Sequence, residues 1–413
     1  MKKILFATTG VSSAGYGGGI SSYVHDLAED FVSFGNEVTV LLIGDKKVHK
    51  VMSEIKYDLI CCELPSFRAG EFDFCKEIYN LIKKINPDVI INNDVPCIAG
   101  LWPFFDAVKI SVVHGFKKGF TFTNFNLQKS VAFINHHYCD WIVCQNNFMV
   151  EELKKEYKNA SHKIICIHQT ASLSQSRNNI SNKELNIIFA GGNSRSKGAD
   201  VASKVAKALQ QNDFNFKFHW CLPAPKYSKQ FVNDNRFLFH GNLARHQFIH
   251  ILSQCDIILI PTTMDTGPQL LVEAFACGVI PLCNNCESAI PDLVGEDEYG
   301  FIIQDNAIED YVGRIQFLKN DSENLKQKNC DMFKEKLSPI HRYEKYKSII
   351  SKKQSYFPLK ERLEEEDVFL FHLRDMMKYS TFSSQRIINK IFTVLAIPIN
   401  YRAYNKWYKL FWK

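Results

Sequence analysis

No Asp-x-Asp occurs in the chain, so the short carboxylate pair that commonly holds a metal against a diphosphate is missing. No apolar run reaches the roughly 18 residues that a membrane-spanning helix needs. The N-terminus imitates a signal peptide, but its apolar centre, Ile4 to Ala7, is too short for one. A first β-strand accounts for it better. The thirteen cysteines are odd in number and irregularly spaced, which argues against a disulfide framework. Cys61, Cys62, Cys144, Cys255 and Cys277 sit in apolar surroundings, and the expectation is reduced, buried thiols in a cytoplasm. The single Cys-x-x-Cys pair, Cys283 and Cys286, has no second pair and no nearby histidine, so zinc or redox chemistry finds no support there. Acidic residues are absent from 376–413, which carries seven of the 50 Lys and Arg. The rest then holds 43 basic against 44 acidic residues, a net of −1. A neutral body argues against nucleic acid as partner, and the basic character belongs to one terminal segment.

What is present is alternation. A chain of 413 residues is too long for one ordinary core and suggests two domains, and 46% apolar with 23% charged residues is a soluble globular composition. "KILFATT" reads as a strand. The helix "ISSYVHDLAEDFVSFG" follows, with Tyr23, Leu27, Phe31 and Phe34 at helical spacing and Gly35 as its stop. "EVTVLLIG", "DVIINN", "KISVVHG" and "WIVCQN" continue the series. Residues 172–184 are polar and aperiodic and read as a linker. A second series then runs through "LNIIFAGG", "FKFHWCL", "FLFHGNL", "DIILIPT", "GVIPLCN" and "GFIIQD". The pattern is α/β, with two doubly wound parallel-sheet domains in tandem. The expected division is 1–171, 172–337, closing helices over 338–375 that return to the first domain, and a basic aromatic tail over 376–413. Ligands of such folds bind at the C-terminal strand ends, so the natural site is the cleft between the domains.

One residue in "DTGPQLLVEAFACG" does not suit a buried helix. Glu273 lies among Leu270, Leu271, Val272, Ala274, Phe275 and Ala276, and a carboxylate there needs a partner. Pro268 suits the first turn of a helix. Gly267 lets backbone approach a ligand. The helix N-terminus from Gln269 and Leu270 favours a phosphate. Glu273, one turn beyond Gln269, is then placed to accept from a ribose diol. The plainer alternative is that Glu273 pairs with a core Arg or Lys.

The order Asp265, seven residues, Glu273 and "AFACG" resembles the retaining glycosyltransferases of family four, which have the GT-B fold of two facing Rossmann-like domains. Their mark is two acidic residues eight positions apart before an "EAMACG"-like sequence; Asp265 replaces the usual first Glu. "IIFAGGNSRSKG", "GNLARHQFIHILSQCDIILIPT" and "AIPDLVGEDEYGFII" resemble flanking parts of the donor domain. The likeness spans roughly residues 1 to 350. It implies that Glu273 holds the nucleotide ribose and that Asp265 contacts the donor sugar. Gly267, Pro268, Gln269 and Leu270 would face the diphosphate, and Lys197 would neutralise it. The family's usual Arg five residues before that Lys is here Gly192, and Arg195 is the neighbouring cation that could stand in. Ser288 and Ala289 replace a common Gly pair.

"GYGGGISSYVHDLA" resembles the family's glycine-rich acceptor-side loop, with Gly18 and Gly19 near the donor diphosphate or the acceptor; a plain tight turn is the alternative. It is not a dinucleotide fingerprint, since Gly15 and Gly17 would require Gly or Ala at Ile20. His114, at a strand end, stands where the family often has a His near sugar hydroxyls. A lone His is more often structural, and His25, His136, His137, His246 and His250 are read so.

The activity implied is retaining transfer of a hexose-type sugar from a UDP- or GDP-sugar to a glycan or lipid-linked acceptor. The pathway implied is that of lipopolysaccharide, capsule or exopolysaccharide. No metal and no cofactor are expected, because Lys197 and a helix dipole would hold the diphosphate. A non-catalytic nucleotide-sugar-binding scaffold, an epimerase and a phosphorylase on the same fold are the alternatives. Residues 383–413 combine Arg386, Lys390, Arg402, Lys406, Lys409 and Lys413 with aromatics from Phe392 to Trp412. They read as an anchor to the anionic inner face of the cell membrane, or as aromatics packed on the first domain.

Overall fold

The computed structural model describes residues 1–11, 19–44, 55–63, 72–115, 132–133, 136–171, 184–212, 214–223, 225–319, 322–354 and 360. Gly18, residues 172–183 of the expected linker 172–184, the expected closing segment beyond 354 apart from residue 360, and the whole basic tail lie outside the described residues.

Seven strands form the first sheet: β1 Lys3–Thr8, β2 Glu37–Gly44, β3 Asp58–Glu63, β4 Val89–Asn93, β5 Val108–Val113, β6 Trp141–Cys144 and β7 Ile164–Cys166. Their order is β3-β2-β1-β4-β5-β6-β7, and every pair is parallel. The second sheet holds β8 Leu185–Phe189, β9 Phe216–Cys221, β10 Phe237–Gly241, β11 Ile257–Ile260, β12 Ile280–Asn284 and β13 Phe301–Ile303. Its order is β10-β9-β8-β11-β12-β13, again parallel throughout. Both orders reverse once, between β1 and β4 and between β8 and β11. These are the crevices where doubly wound sheets take ligands. The two doubly wound domains expected from the alternation are both present.

A strand buried on both faces is a continuous apolar run, as "IILI" shows, while "VIINN" is buried throughout but ends in two asparagines. Helix α1 (Gly19–Ser33) turns Tyr23, Leu27 and Phe31 onto the first sheet. It stops at Gly35, whose φ of +82° suits glycine. The helices used below are α2 Asn147–Glu156, α3 Ala199–Gln211, α4 Arg245–Leu252, α5 Gln269–Ala276, α6 Ile290–Val294 and α7 Pro339–Ile350.

Helix α7 follows the second domain but packs on the first. Tyr346, Ile349 and Ile350 join the cluster of Ile4, Phe6, Tyr23 and Phe31. Tyr346 Oη lies 2.5 Å from Tyr23 Oη, and Arg342 pairs with Asp30 in the same buried seam.

Two strands escaped the sequence reading. Both β3 and β7 are edge strands, and β7 has only three residues. The same edge position corrects two cysteines. Cys61 is exposed and Cys62 half-buried on β3, whereas Cys144, Cys255 and Cys277 are buried as expected.

Candidate active site

Strand β11 delivers the chain to a loop, 261–268, that enters the crevice between the domains. Helix α5 starts at Gln269, with Pro268 as its N-cap at φ −65°, one position earlier than a first-turn proline. Leu271 N donates to Pro268 O at 3.0 Å, and the first N–H groups of α5 have no acceptor within the helix. Gly267 is needed for a close approach between domains: a Cβ there would lie 2.9 Å from Gln145 Oε1 and 3.2 Å from Gln169 Nε2. Thr266 Oγ1 donates to His114 O at 2.8 Å, Asn146 Nδ2 to Thr266 O at 2.6 Å, and Gln269 Nε2 to Thr170 O at 3.0 Å. Leu270 is half-buried against the helix side of the second domain. Ala289 N donates to Thr266 O at 3.0 Å, so the segment that replaces a Gly pair supports this loop from below. Gln169 Oε1 and Thr170 Oγ1 are buried beside α5 and find no hydrogen-bond partner among the described residues.

Glu273 is 5% exposed, and its partner is Arg245 of α4, whose Nη2 lies 3.2 Å from Glu273 Oε1. The same guanidinium grips Asp26 of α1 in the opposite domain, with Nη1 to Oδ1 at 2.8 Å and Nη2 to Oδ2 at 2.9 Å. One cation therefore serves two buried carboxylates, and Asp26 holds the better, bidentate share. Burial pushes the Glu273 carboxyl up to about 7. Arg245 opposes the rise, the Asp26 charge adds to it, and Gln269 donates to the carboxylate. Sequence reasoning missed Arg245 and Asp26. The demand of a buried Glu for a cation was visible, but nothing local says that Arg245 of α4 supplies it. Asp26 stands beside the buried Leu27 on α1, and its ion-pair partner comes from the other domain.

The loop after β8 brings a second pair together. Lys197 Nζ donates to Asp265 Oδ2 at 2.5 Å, and Asp265 Oδ1 accepts from Thr266 N at 2.8 Å. Lys197 is 45% exposed at its side chain and Asp265 17%. Gly198 holds the lysine there: at φ +77° it passes so close to β11 that a Cβ would lie 2.3 Å from Pro261 O. Gly192 takes φ +58°, a left-handed turn that an Arg would enter only with strain. Arg195 points elsewhere. Its side chain is 87% exposed and its Nε lies 3.6 Å from Asp200 on α3.

His114 closes the floor of the crevice. Its Nε2 meets Asn93 Oδ1 at 2.9 Å and its Nδ1 meets Gln145 Nε2 at 2.8 Å. An amide Nε2 can only donate, so Nδ1 accepts and the proton sits on Nε2. Burial pulls the ring down to about 3, so it is neutral. Both ring nitrogens are engaged, and the residue here organises the polar floor rather than presenting a free base. Gly19 opens α1 at an exposed position, with open space where a Cβ would be.

Residues 17–174 match the family described as Glycosyltransferase Family 4, and residues 172–336 match Glycosyl transferases group 1. An uncharacterized glycosyltransferase of Haemophilus influenzae is 24% identical over 337 residues, covering 78% of this chain and 92% of that one. A putative colanic acid biosynthesis glycosyltransferase, WcaL of Escherichia coli, is 25% identical over 134 residues, 30% of this chain and 33% of that protein. Among solved structures, HepE of Anabaena in complex with UDP and glucose superposes with a TM-score of 0.66 at 13% identity. That match covers 85% of this chain and 100% of the other.

Proposed function

Since the chain belongs to the family-four glycosyltransferases of the GT-B fold, we propose that it moves a hexose-type sugar, with retention, from a UDP- or GDP-sugar to a glycan or lipid-linked glycan acceptor. The observation that carries this reading is the convergence of Lys197, Asp265, the start of α5 and Glu273 at the β8/β11 crevice, facing the C-terminal strand ends of the first domain. The diphosphate lies against Lys197 and the α5 amides, which meet the charge that grows as the sugar departs. Lys197 exchanges Asp265 for phosphate oxygens, and Asp265 becomes free to accept from a sugar hydroxyl. Glu273 accepts from the ribose diol. Gln169 Oε1 and Thr170 Oγ1 are further polar groups at the edge of that space. The complex of HepE with UDP and glucose supports a UDP-sugar. The likeness to WcaL supports a place in surface-polysaccharide synthesis, of the lipopolysaccharide, capsule or exopolysaccharide kind.

Lys197→Ala tests the phosphate assignment. The variant is expected to weaken UDP at least tenfold and uridine hardly at all, read by calorimetry, because it removes a charge-assisted contact worth about 1.5–3 kcal/mol. Equal losses for both ligands place Lys197 away from the phosphates. The transfer step needs no divalent cation in this reading, so Mg²⁺ or Mn²⁺ added to the chelated enzyme leaves the rate unchanged.

No described helix is long and apolar enough to cross a membrane. Attachment at the inner membrane face would rest on residues 383–413, where each basic residue near an anionic leaflet contributes about 1 kcal/mol. Full-length protein is expected to pellet with anionic liposomes and a chain ending near Ser380 to stay in solution. Equal behaviour of the two removes the anchor.

A further inference from the structure

Beside the donor crevice, three side chains of metal-binding type meet across the domain boundary. Cys166 ends β7 and His168 follows it two residues later, both in the first domain; Asp292 lies on α6 of the second. One donor atom from each, a thiol sulfur, a ring nitrogen and a carboxylate oxygen, lies within 4.8 Å of both others. Cys166 Sγ is 3.7 Å from the His168 ring nitrogens, and His168 Nε2 is 4.0 Å from Asp292 Oδ2. Around a tetrahedral zinc ion, with Zn–S about 2.3 Å and Zn–N or Zn–O about 2.0–2.1 Å, such donors stand about 3.3–3.6 Å apart. To bind one ion, His168 and Asp292 close by about half an ångström, and the Cys166 thiol, now 3.7 Å from both ring nitrogens, swings to the Nε2 side.

The surroundings set the ligands in a binding form. His168 Nδ1 lies 3.1 Å from the carbonyl of Gln145, which can only accept. The ring proton is therefore on Nδ1, and Nε2 presents its lone pair towards Asp292. A carbonyl behind a histidine is the usual support of a metal ligand. Asp292 Oδ2 is held by Asn147 N, the first amide of α2, at 2.7 Å. Each ligand is half-buried, between the wholly enclosed core and free surface.

We propose that Cys166, His168 and Asp292 form an interdomain zinc site, distinct from the donor crevice, with a fourth position left to water. Binding converts the Cys166 thiol to a zinc thiolate and releases its proton to solvent. Two ligands from one domain and one from the other make the ion a clasp on the relative placement of the two sheets. Cys166 and Asp292 lie at opposite ends of the clasp, so each can be removed separately.

The test uses the full chain, dialysed against chelator and titrated with Co²⁺, whose thiolate complexes absorb in the near ultraviolet. The expected result is a band that saturates at one Co²⁺ per chain and is bleached by Zn²⁺. Cys166→Ser abolishes the band, and Asp292→Asn weakens Co²⁺ binding at least tenfold. Zn²⁺ also raises the melting temperature of the parent protein by mass action but not that of Cys166→Ser. Absence of a saturable band, or a band that survives Cys166→Ser, overturns the assignment. Melting of the metal-free variants checks that each still folds. Neither readout depends on glycosyl transfer, so failure here leaves the proposed activity untouched, and failure of that activity leaves the site untouched.

Discussion

Glu273→Gln is expected to lower kcat/KM for the nucleotide-sugar by two to three orders of magnitude while the protein stays folded. Two ribose hydroxyls donating to a buried carboxylate are charge-assisted bonds of about 1.5–3 kcal/mol each. The amide keeps the shape but loses the charge and presents a donor to one hydroxyl. Stability moves in the opposite direction. Burial holds the Glu273 carboxyl at about 7, above its ordinary 4.5. In that window the folded state binds the proton that the unfolded state has released. Stability from this group is thus complete below about 4.5 and is lost as pH rises through about 7. The loss is on the order of 3 kcal/mol, since each pKa unit corresponds to about 1.4 kcal/mol. Glutamine imitates the protonated form, so the variant melts with the parent in acid and no lower than it in mild alkali. Donor affinity of the parent should rise as pH crosses about 7, and the variant should lack that rise. A variant with parental turnover and donor KM would mean that Glu273 serves only the fold.

Much of this arrangement was legible in the sequence because it is written in local signals. Short apolar runs mark strands, and all six strands of the second sheet were read from them, the exposed edge strand β10 included. Lys197, Asp265, Gly267 and Glu273 stand on the loops and helix that follow β8 and β11, and a doubly wound order puts such loops together. Long-range pairing was not legible. Nothing in "GNLARHQF" or "YVHDLA" announces that Arg245 and Asp26 meet across the domain boundary, because their contact depends on how two separate sheets face each other. His114 shows the same limit from the other side. Its strand-end position was visible, but its two ring partners, Asn93 and Gln145, come from neighbouring strands and settle its neutral state. The departure at Gly192 also has a backbone cause, the positive φ, that a side-chain comparison could not supply.

Arg245→Ala is expected to have the largest effect on the fold. It strips the cation that, among the described residues, pairs with both Asp26 and Glu273, carboxylates 4% and 5% exposed. Breaking a buried charge cluster by removing one partner costs about 3–5 kcal/mol, because the remaining charge is left without compensation. The cost is reduced if Glu273 keeps a proton, and loss of the guanidinium drives its carboxyl further up in pH. The variant therefore behaves near neutrality like Glu273→Gln, with donor KM raised by a similar factor. The two differ in alkali: Arg245→Ala regains donor affinity as Glu273 finally ionises, and Glu273→Gln does not. Adding Asp26→Asn to Arg245→Ala removes the second uncompensated charge and should restore part of the melting temperature. It should also lower the pH at which donor affinity returns, since Asp26 no longer opposes ionisation of Glu273. Melting curves and donor KM measured across pH 7 for the single and double variants decide the matter. If Arg245→Ala melts with the parent and keeps its donor KM, the cation is a surface contact and the two carboxylates are not coupled through it.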